Sequence, residues 1–255
     1  MDGLHARMRR ALGYGGRRVV ASGIVRRCLR PVARWQTLVL AVRDLSGLIP
    51  PIEPSIPVEI RFLSDTEVWG FRAAFERQGL GWSRIEKRLR RGDRCAAALA
   101  GDQLLYTSWL TFTMAWIPEV EAAILLEPNE VYGFNAVTLS EARGKNLHPA
   151  VIAFIMREAQ AFGCRRHLSY VRADNFSGLR STAKIERDRC LYVRRVEVLG
   201  LRGALITGLD APGCSRFGFA ASTATRRLGA LGVWVTGSAD EDALDTETLI
   251  AALDR

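Results

Sequence analysis

Cysteine is scarce in this chain and unpaired. The five cysteines stand at 28, 95, 164, 190 and 214, odd in number and with no CxxC spacing, so neither a disulfide framework nor a zinc site is expected. A reducing cytoplasm suits such a set, and no metal is called for. Long apolar runs are also missing: the longest uncharged stretch, Leu104 to Pro118, is broken by Thr and Ser and falls short of the ~18 to 20 apolar residues that cross a bilayer as a helix. No transmembrane helix is expected. A secretory leader is not expected either, because arginines recur through every apolar patch near the N-terminus and no small-residue cleavage site follows a clean hydrophobic core. Acidic residues are the minority charge, 27 Asp and Glu against 36 Lys and Arg, for a formal net charge of +9.

What is present is a globular composition. With 255 residues, 48% hydrophobic and 25% charged, the chain has enough apolar material for one domain with extensions, or for two small domains. The charge is uneven. Residues 1–57 hold ten arginines against Asp2, Asp44 and Glu53, and Val19 to Leu45 mixes arginines with Val20, Ile24, Val25, Leu29, Val32, Leu38, Leu40 and Val42, which reads as a basic amphipathic helix. Residues 1–48 are therefore expected to form a basic helical arm. Three uses fit it: packing on the rest of the molecule, a weak contact with an anionic membrane surface at the inner face of the membrane, or a contact with nucleic acid. Nucleic acid ranks last, since the arm carries no recognisable nucleic-acid module. Four of the nine prolines fall in residues 49–57, which predicts a stiff extended linker.

Beyond the linker, Val58 to Leu63 alternates as a strand, Ser64 or Asp65 caps a helix bearing Val68, Phe71 and Phe75, and a second helix carries Trp82, Ile85 and Leu89. Cys95 to Ala100, Gly101-Asp102 and Gln103 to Thr113 spell a hairpin with a tight turn. The rest is organised around Val131 to Phe162. Val131 to Thr138 reads as a buried strand in which Gly133 marks a bulge or a close backbone approach. Val151, Ile152, Ile155, Met156, Ala159 and Phe162 recur at helical spacing, with Pro149 as first helical residue and His148 as N-cap. Between them, Arg143-Gly144-Lys145-Asn146-Leu147-His148 offers a glycine, two cations and a helix N-terminus, a setting that favours an anion. The spacing is neither GxxxxGK[ST] nor GxGxxG. Asn146 tolerates a left-handed backbone. Downstream, His167 to Val171 is a second short strand, and Asn175 caps a further helix.

The segment Glu141-Ala142-Arg143-Gly144-Lys145-Asn146 resembles the Q/R-x-x-G-x-G/A acyl-CoA loop of the GNAT acyltransferase superfamily, matching at the Arg-Gly-Lys core and departing at Glu141 and Asn146. Followed by a strand and an Asn-capped helix, it resembles the acyl-CoA-binding half of that fold, and the likeness runs over residues 58–208, with Leu191 to Glu197 and Leu201 to Thr207 as closing strands. The resemblance implies an α/β fold, a mixed, mostly antiparallel central sheet flanked by helices, here carrying the N-terminal helical arm. It also implies acetyl-CoA or another short acyl-CoA as co-substrate. Ala136, Val137 and Thr138 would align the pantetheine and stabilise the thioester oxyanion, Arg143 through His148 would hold the pyrophosphate, and Asn175 would lie near the thioester. A closer resemblance, carried by the basic arm, the proline-rich linker, Arg90-Arg91-Gly92-Asp93-Arg94-Cys95 and the Arg-Gly-Lys-x-Leu-x-Pro-Ala loop, is to bacterial members found with polysaccharide-assembly functions. It implies a small-molecule amine or an amino sugar as acceptor.

Acyl transfer to an amine needs a base, donors for the oxyanion and a proton source for the thiolate. The family's tyrosine acid, seven residues past the Asn, falls on Thr182, and Glu186-Arg187 stand where Gly-Phe is usual. Tyr132 and Tyr170 are the nearest ring hydroxyls. Among carboxylates, Glu130 is preferred as base over Glu127 and Glu121, because Pro128-Asn129 turns the chain there; a solvated loop carboxylate is the competing reading. Asn135 stands where several relatives carry an Asp and cannot act as a base. The departures leave room for a non-catalytic acyl-CoA-binding protein. Residues 209–255 lie beyond the expected fold; Ala239 to Leu253 reads as an acidic amphipathic helix, with a dimer contact, a lid or a flap as open roles.

Overall fold

In the computed structural model of the protein, the described residues are 33–117, 119, 122–185, 189–198 and 201–207, with three short strands at 219–221, 226–228 and 233–235. In chain order the elements are β1 (Ala33–Asp44), β2 (Glu59–Leu63), α1 (Asp65–Gly70), α2 (Arg72–Arg77), α3 (Trp82–Arg91), β3 (Arg94–Ala100), β4 (Gln103–Thr111), β5 (Met114–Ile117), β6 (Ala122–Leu125), β7 (Glu130–Thr138), a 3-10 turn (Ser140–Ala142), α4 (Leu147–Ala161), β8 (Arg166–Arg172), α5 (Phe176–Ala183), β9 (Arg189–Val198), β10 (Leu201–Thr207), β11 (Phe219–Ala221), β12 (Arg226–Leu228) and β13 (Val233–Val235). The main sheet runs β12-β13-β10-β9-β1-β8-β7-β4-β3-β2, and β11-β6-β5 form a small second sheet. Every paired neighbour is antiparallel except β7 and β8. This is the mixed, mostly antiparallel α/β arrangement expected.

The expected helical arm is corrected where it is described. Ala33–Asp44 is a strand in the middle of the sheet, with Leu38 opposite Arg172 of β8 on one side and opposite Val193 of β9 on the other. Leu38, Val39, Leu40, Ala41 and Val42 are all buried. A strand covered on both faces loses its polar alternation, which is why this apolar run reads as helix from sequence. β1 also takes the position beside β8, so the β9–β10 hairpin reaches the sheet through β1. Residues 1–32, and with them the rest of the arm, lie outside the described residues, as does the helix expected over Ala239 to Leu253.

Residues 49–57 form neither helix nor strand and bend at Ser55 and Ile56, and they are no free spacer: Ile49 is buried in the core against α4, and Ile52 and Ile56 pack on the same cluster. Ser64 caps α1 in a capping box with Glu67, the arrangement that satisfies two orphan N–H groups reciprocally. The core has two layers, one on each sheet face. Leu147, Val151, Ile152, Ile155 and Met156 of α4 pack on Ala96, Ala98, Tyr106, Leu110 and Val131; at ~1.5 to 3 kcal/mol per large side chain buried, these five contribute on the order of 10 kcal/mol before chain entropy is charged against them. On the opposite face Val68, Phe75 and Ile85 cover Ala97, Leu104 and Trp109. Among the described residues no helix is long and apolar enough to cross a membrane.

Candidate active site

The site begins where two parallel strands part. β7 and β8 pair from Glu130 with Arg166 through Gly133 with Ser169 and no further, although β7 runs on to Thr138 and β8 to Arg172. Gly133 is the reason the strands lie so close at the last rung: a Cβ there would stand 2.8 Å from Nε2 of His167. The close approach read from the sequence is thus found at Gly133, while the bulge lies two residues on. Trp109 faces Phe134 and Thr107 faces Val137, so Ser108 of β4 has both Asn135 and Ala136 opposite it. Asn135 adopts φ 49, a left-handed conformation that Asn enters more readily than most residues. A bulge leaves its extra residue outside the ladder. Ala136 is exposed, and Val137 and Thr138 are half-buried, so the three residues expected to meet pantetheine line the open side of the parting.

The chain then turns through two left-handed residues, Gly144 (φ 78) and Asn146 (φ 61), with Arg143, Gly144 and Lys145 exposed. α4 begins at Leu147 with Asn146 as N-cap, not His148, so Pro149 is its third residue and not its first. Proline is tolerated there because first-turn N–H groups have no intrahelical acceptor. The Asn146 side chain makes no bond to its own helix. Its amide instead donates to the Glu53 carbonyl at 2.8 Å, and its oxygen accepts from Lys184 at 2.7 Å; the Ser55 N–H donates to the Lys145 carbonyl at 2.9 Å. The proline-rich segment therefore braces the loop and leaves the helix N-terminus uncapped by side chains. With no acidic residue in the first turn and open space above Gly144, these residues fit a phosphate group.

Beneath the loop, Tyr106 and His148 share a hydrogen bond of 2.8 Å between Oη and Nδ1, which makes His148 a link to the sheet. Burial pushes the Tyr106 hydroxyl pKa up. His167 is buried with Nε2 unpartnered, and burial, followed by the charge of His148, lowers its pKa to about 4. His167, Ser169 and Thr182 line a cavity of about 20 Å³ between the sheet and α4, room for about one water. Asn175 caps α5 as expected, accepting from the Gly178 N–H at 3.0 Å. Thr182 donates to the Gly178 and Leu179 carbonyls, so its hydroxyl is spent on its own helix.

The two expected catalytic groups are not brought to the open side together. Glu130 is buried at the closed end of β7, ion-paired with Arg166 at 2.9 Å and accepting from the Glu127 N–H at 3.0 Å. A carboxylate so neutralised and enclosed, on the paired side of the parting, is a closing bolt and a poor base. Glu121 lies outside the described residues. Tyr132 is fully buried beside the last rung, its ring stacked between Phe134 and Tyr170 at 6.1 and 6.4 Å. Its hydroxyl has no hydrogen-bond partner among the described residues, an arrangement that costs about 1–3 kcal/mol. Burial, then the charges of Tyr170 and Glu119, hold its pKa well above the usual tyrosine range. Sequence reasoning passed over Glu119, which stands on the turn between β5 and β6 and accepts from the Tyr170 hydroxyl at 2.7 Å. Pro118 between two apolar tetrads signals a turn, but nothing local says which strand it reaches. Arg88, whose guanidinium lies 5.1 Å from the Trp109 ring and 4.8 Å from Phe134, was also missed.

No protein-family model matches the chain, and no curated protein does. Solved structures similar to it include a GNAT-family putative acetyltransferase from Novosphingobium aromaticivorans (16% identity, TM-score 0.42, over 65% of this chain and 67% of that one). A GNAT-family acetyltransferase from Colwellia psychrerythraea (10%, 0.44, 64% and 55%) and a GCN5-related N-acetyltransferase from Sphaerobacter thermophilus (13%, 0.44, 70% and 56%) are also similar. The matched part spans little more than half of the latter two. At such low identity, what the site does has to come from its own residues.

Proposed function

We propose that the protein is an acyl-CoA-dependent N-acyltransferase that moves an acetyl or other short acyl group to an amine on a small molecule or an amino sugar. One observation carries the reading: the parallel strands part at Gly133 and Ser169, and the bulged, open half of β7 leads into a loop whose two left-handed residues, cations and uncapped helix N-terminus suit a pyrophosphate. A thioester held along Ala136 to Thr138 would then lie at the parting, where the bulge offers a backbone N–H to an oxyanion. The co-substrate would supply the activated acyl carbonyl. This chain's part is to fix it with Arg143, Gly144, Lys145 and the N–H groups of Leu147 and His148, and to keep Asn175 near it. No group of three or more metal-ligating side chains occurs among the described residues, and none is needed for this reading.

A second reading, an acyl-CoA-binding protein without turnover, is favoured by Asn135 in place of a carboxylate and by the engaged hydroxyl of Thr182. Calorimetry with acetyl-CoA, paired with a thiol-release assay over a panel of primary amines, separates the two. Binding with turnover is expected; binding alone supports the second reading, and no binding removes both.

A further inference from the structure

The face of the sheet turned away from α4 carries a carboxylate at the parting of the strands. On the α4 side, His167 and Ser169 line the cavity shared with Ile152 and Met156, and Val131 belongs to the α4 core. Alternation along each strand therefore sends Tyr132 and Tyr170 to the other face. They bracket the last rung, Tyr132 one residue before Gly133 on β7 and Tyr170 one residue after Ser169 on β8. Both rings are stacked, the Tyr170 hydroxyl donates to Oε2 of Glu119, and the Tyr132 hydroxyl, fully enclosed, lacks a partner among the described residues. Glu119 is half-exposed, unlike Glu130, and it sits beside the opening and not at the closed end.

Resting on the acyl-transfer reading above, we propose that Glu119 is the catalytic base for the acceptor amine, with Tyr170 holding its carboxylate. The acceptor enters as an ammonium and gives one proton to Glu119, which frees the nitrogen lone pair. The nitrogen attacks the thioester carbonyl carbon; the C–N bond forms, the C–S bond breaks, and the departing thiolate takes the second proton from the acylated nitrogen. Amide and free thiol result, and Glu119 returns its proton to solvent. Among the described residues, the charged or titratable groups around it are Tyr132 from β7, and Tyr170 and Arg172 from β8, the last already paired with Asp174 at 2.9 Å.

The test compares wild type with Glu119→Gln, Glu119→Asp and Tyr170→Phe in the full chain, by acetyl-CoA calorimetry and by the pH profile of thiol release with the best primary amine of the panel. Glu119→Gln should bind acetyl-CoA within twofold of wild type and lose roughly 10²-fold or more in kcat/KM, the scale of a positioned base. Its remaining activity should rise with pH along the titration of the amine itself. Glu119→Asp should recover part of the loss, and Tyr170→Phe should lower kcat with acetyl-CoA binding intact. An unchanged rate and pH profile in Glu119→Gln overturns the assignment, and so does a wild type that binds acetyl-CoA yet turns over no amine. Failure of wild type to bind acetyl-CoA instead removes the acyl-transfer reading itself.

Discussion

The two ends of β7 are built on opposite principles. At one end Glu130 and Arg166 close a largely buried ion pair across the one parallel pairing among the described strands, Val131 and Tyr132 are fully covered, and the backbone ladder is unbroken. At the other, beyond Gly133, the ladder to β8 stops, Asn135 and Ala136 bulge, and the strand runs into a loop held by hydrogen bonds to distant segments. The closed end is held by the ion pair and by a ladder whose backbone groups are answered from within. The open end leaves N–H groups unanswered, and that is what makes it fit to receive a ligand.

The strongest way to break this contrast is to remove β1, which supports β8 from the side away from β7. A chain lacking residues 1–48 should fail to show a cooperative unfolding transition by circular dichroism, since six buried positions and two strand pairings go with it; a well-folded truncated protein would show the closed end to be self-sufficient. Next, Glu130→Ala leaves Arg166 without its partner. The Arg166 side chain keeps 26% exposure, so the loss in urea unfolding should be about 2 kcal/mol, below the figure for a fully buried pair. Gly133→Ala, at the junction, pushes a methyl group into His167 and should cost ~1 to 3 kcal/mol, part of it recovered when His167→Ala is added.

At the open end the effects are smaller in stability and larger in binding. Asn146→Ala, which loses two hydrogen bonds and strains a left-handed residue, should cost about 1 to 2 kcal/mol and weaken acetyl-CoA binding; Asn146→Gly keeps the backbone and isolates the hydrogen bonds. The mildest effect is one of pH. His167 is held neutral in the folded protein down to about pH 4, whereas in the unfolded chain it takes up its proton near 6.5. Between those values the unfolded state binds more protons, so stability should fall as pH drops through the window, by no more than one proton in slope. Urea midpoints at pH 7, 5.5 and 4.5 in wild type and His167→Gln measure it.

Local signals in the sequence carried the right half of this picture. The order of strand, glycine loop, helix, strand and Asn-capped helix, the cap at Asn175, the left-handed tolerance of Asn146 and the close approach at Gly133 each follow from the chemistry of one residue and its immediate neighbours. What escaped depends on partners far along the chain. β1 is a strand only because β8 and β9 flank it, Glu119 meets Tyr170 only through the placement of a hairpin turn, and Glu130 is neutralised by an arginine that the parallel register brings opposite. The start of α4 was missed by two residues for a related reason: Asn146 caps with its backbone while its side chain is called away to Glu53 and Lys184.

The place of β1 has a consequence for how the protein is made. Leu38 emerges from the ribosome roughly 130 residues ahead of its partner Arg172, and further ahead of Val193. At ~5 to 20 residues per second, the interval is on the order of ten seconds. Throughout that time an apolar strand with both edges open waits for its neighbours, an aggregation-prone state of the nascent chain, and the candidate active site cannot assemble until β8 has been synthesised.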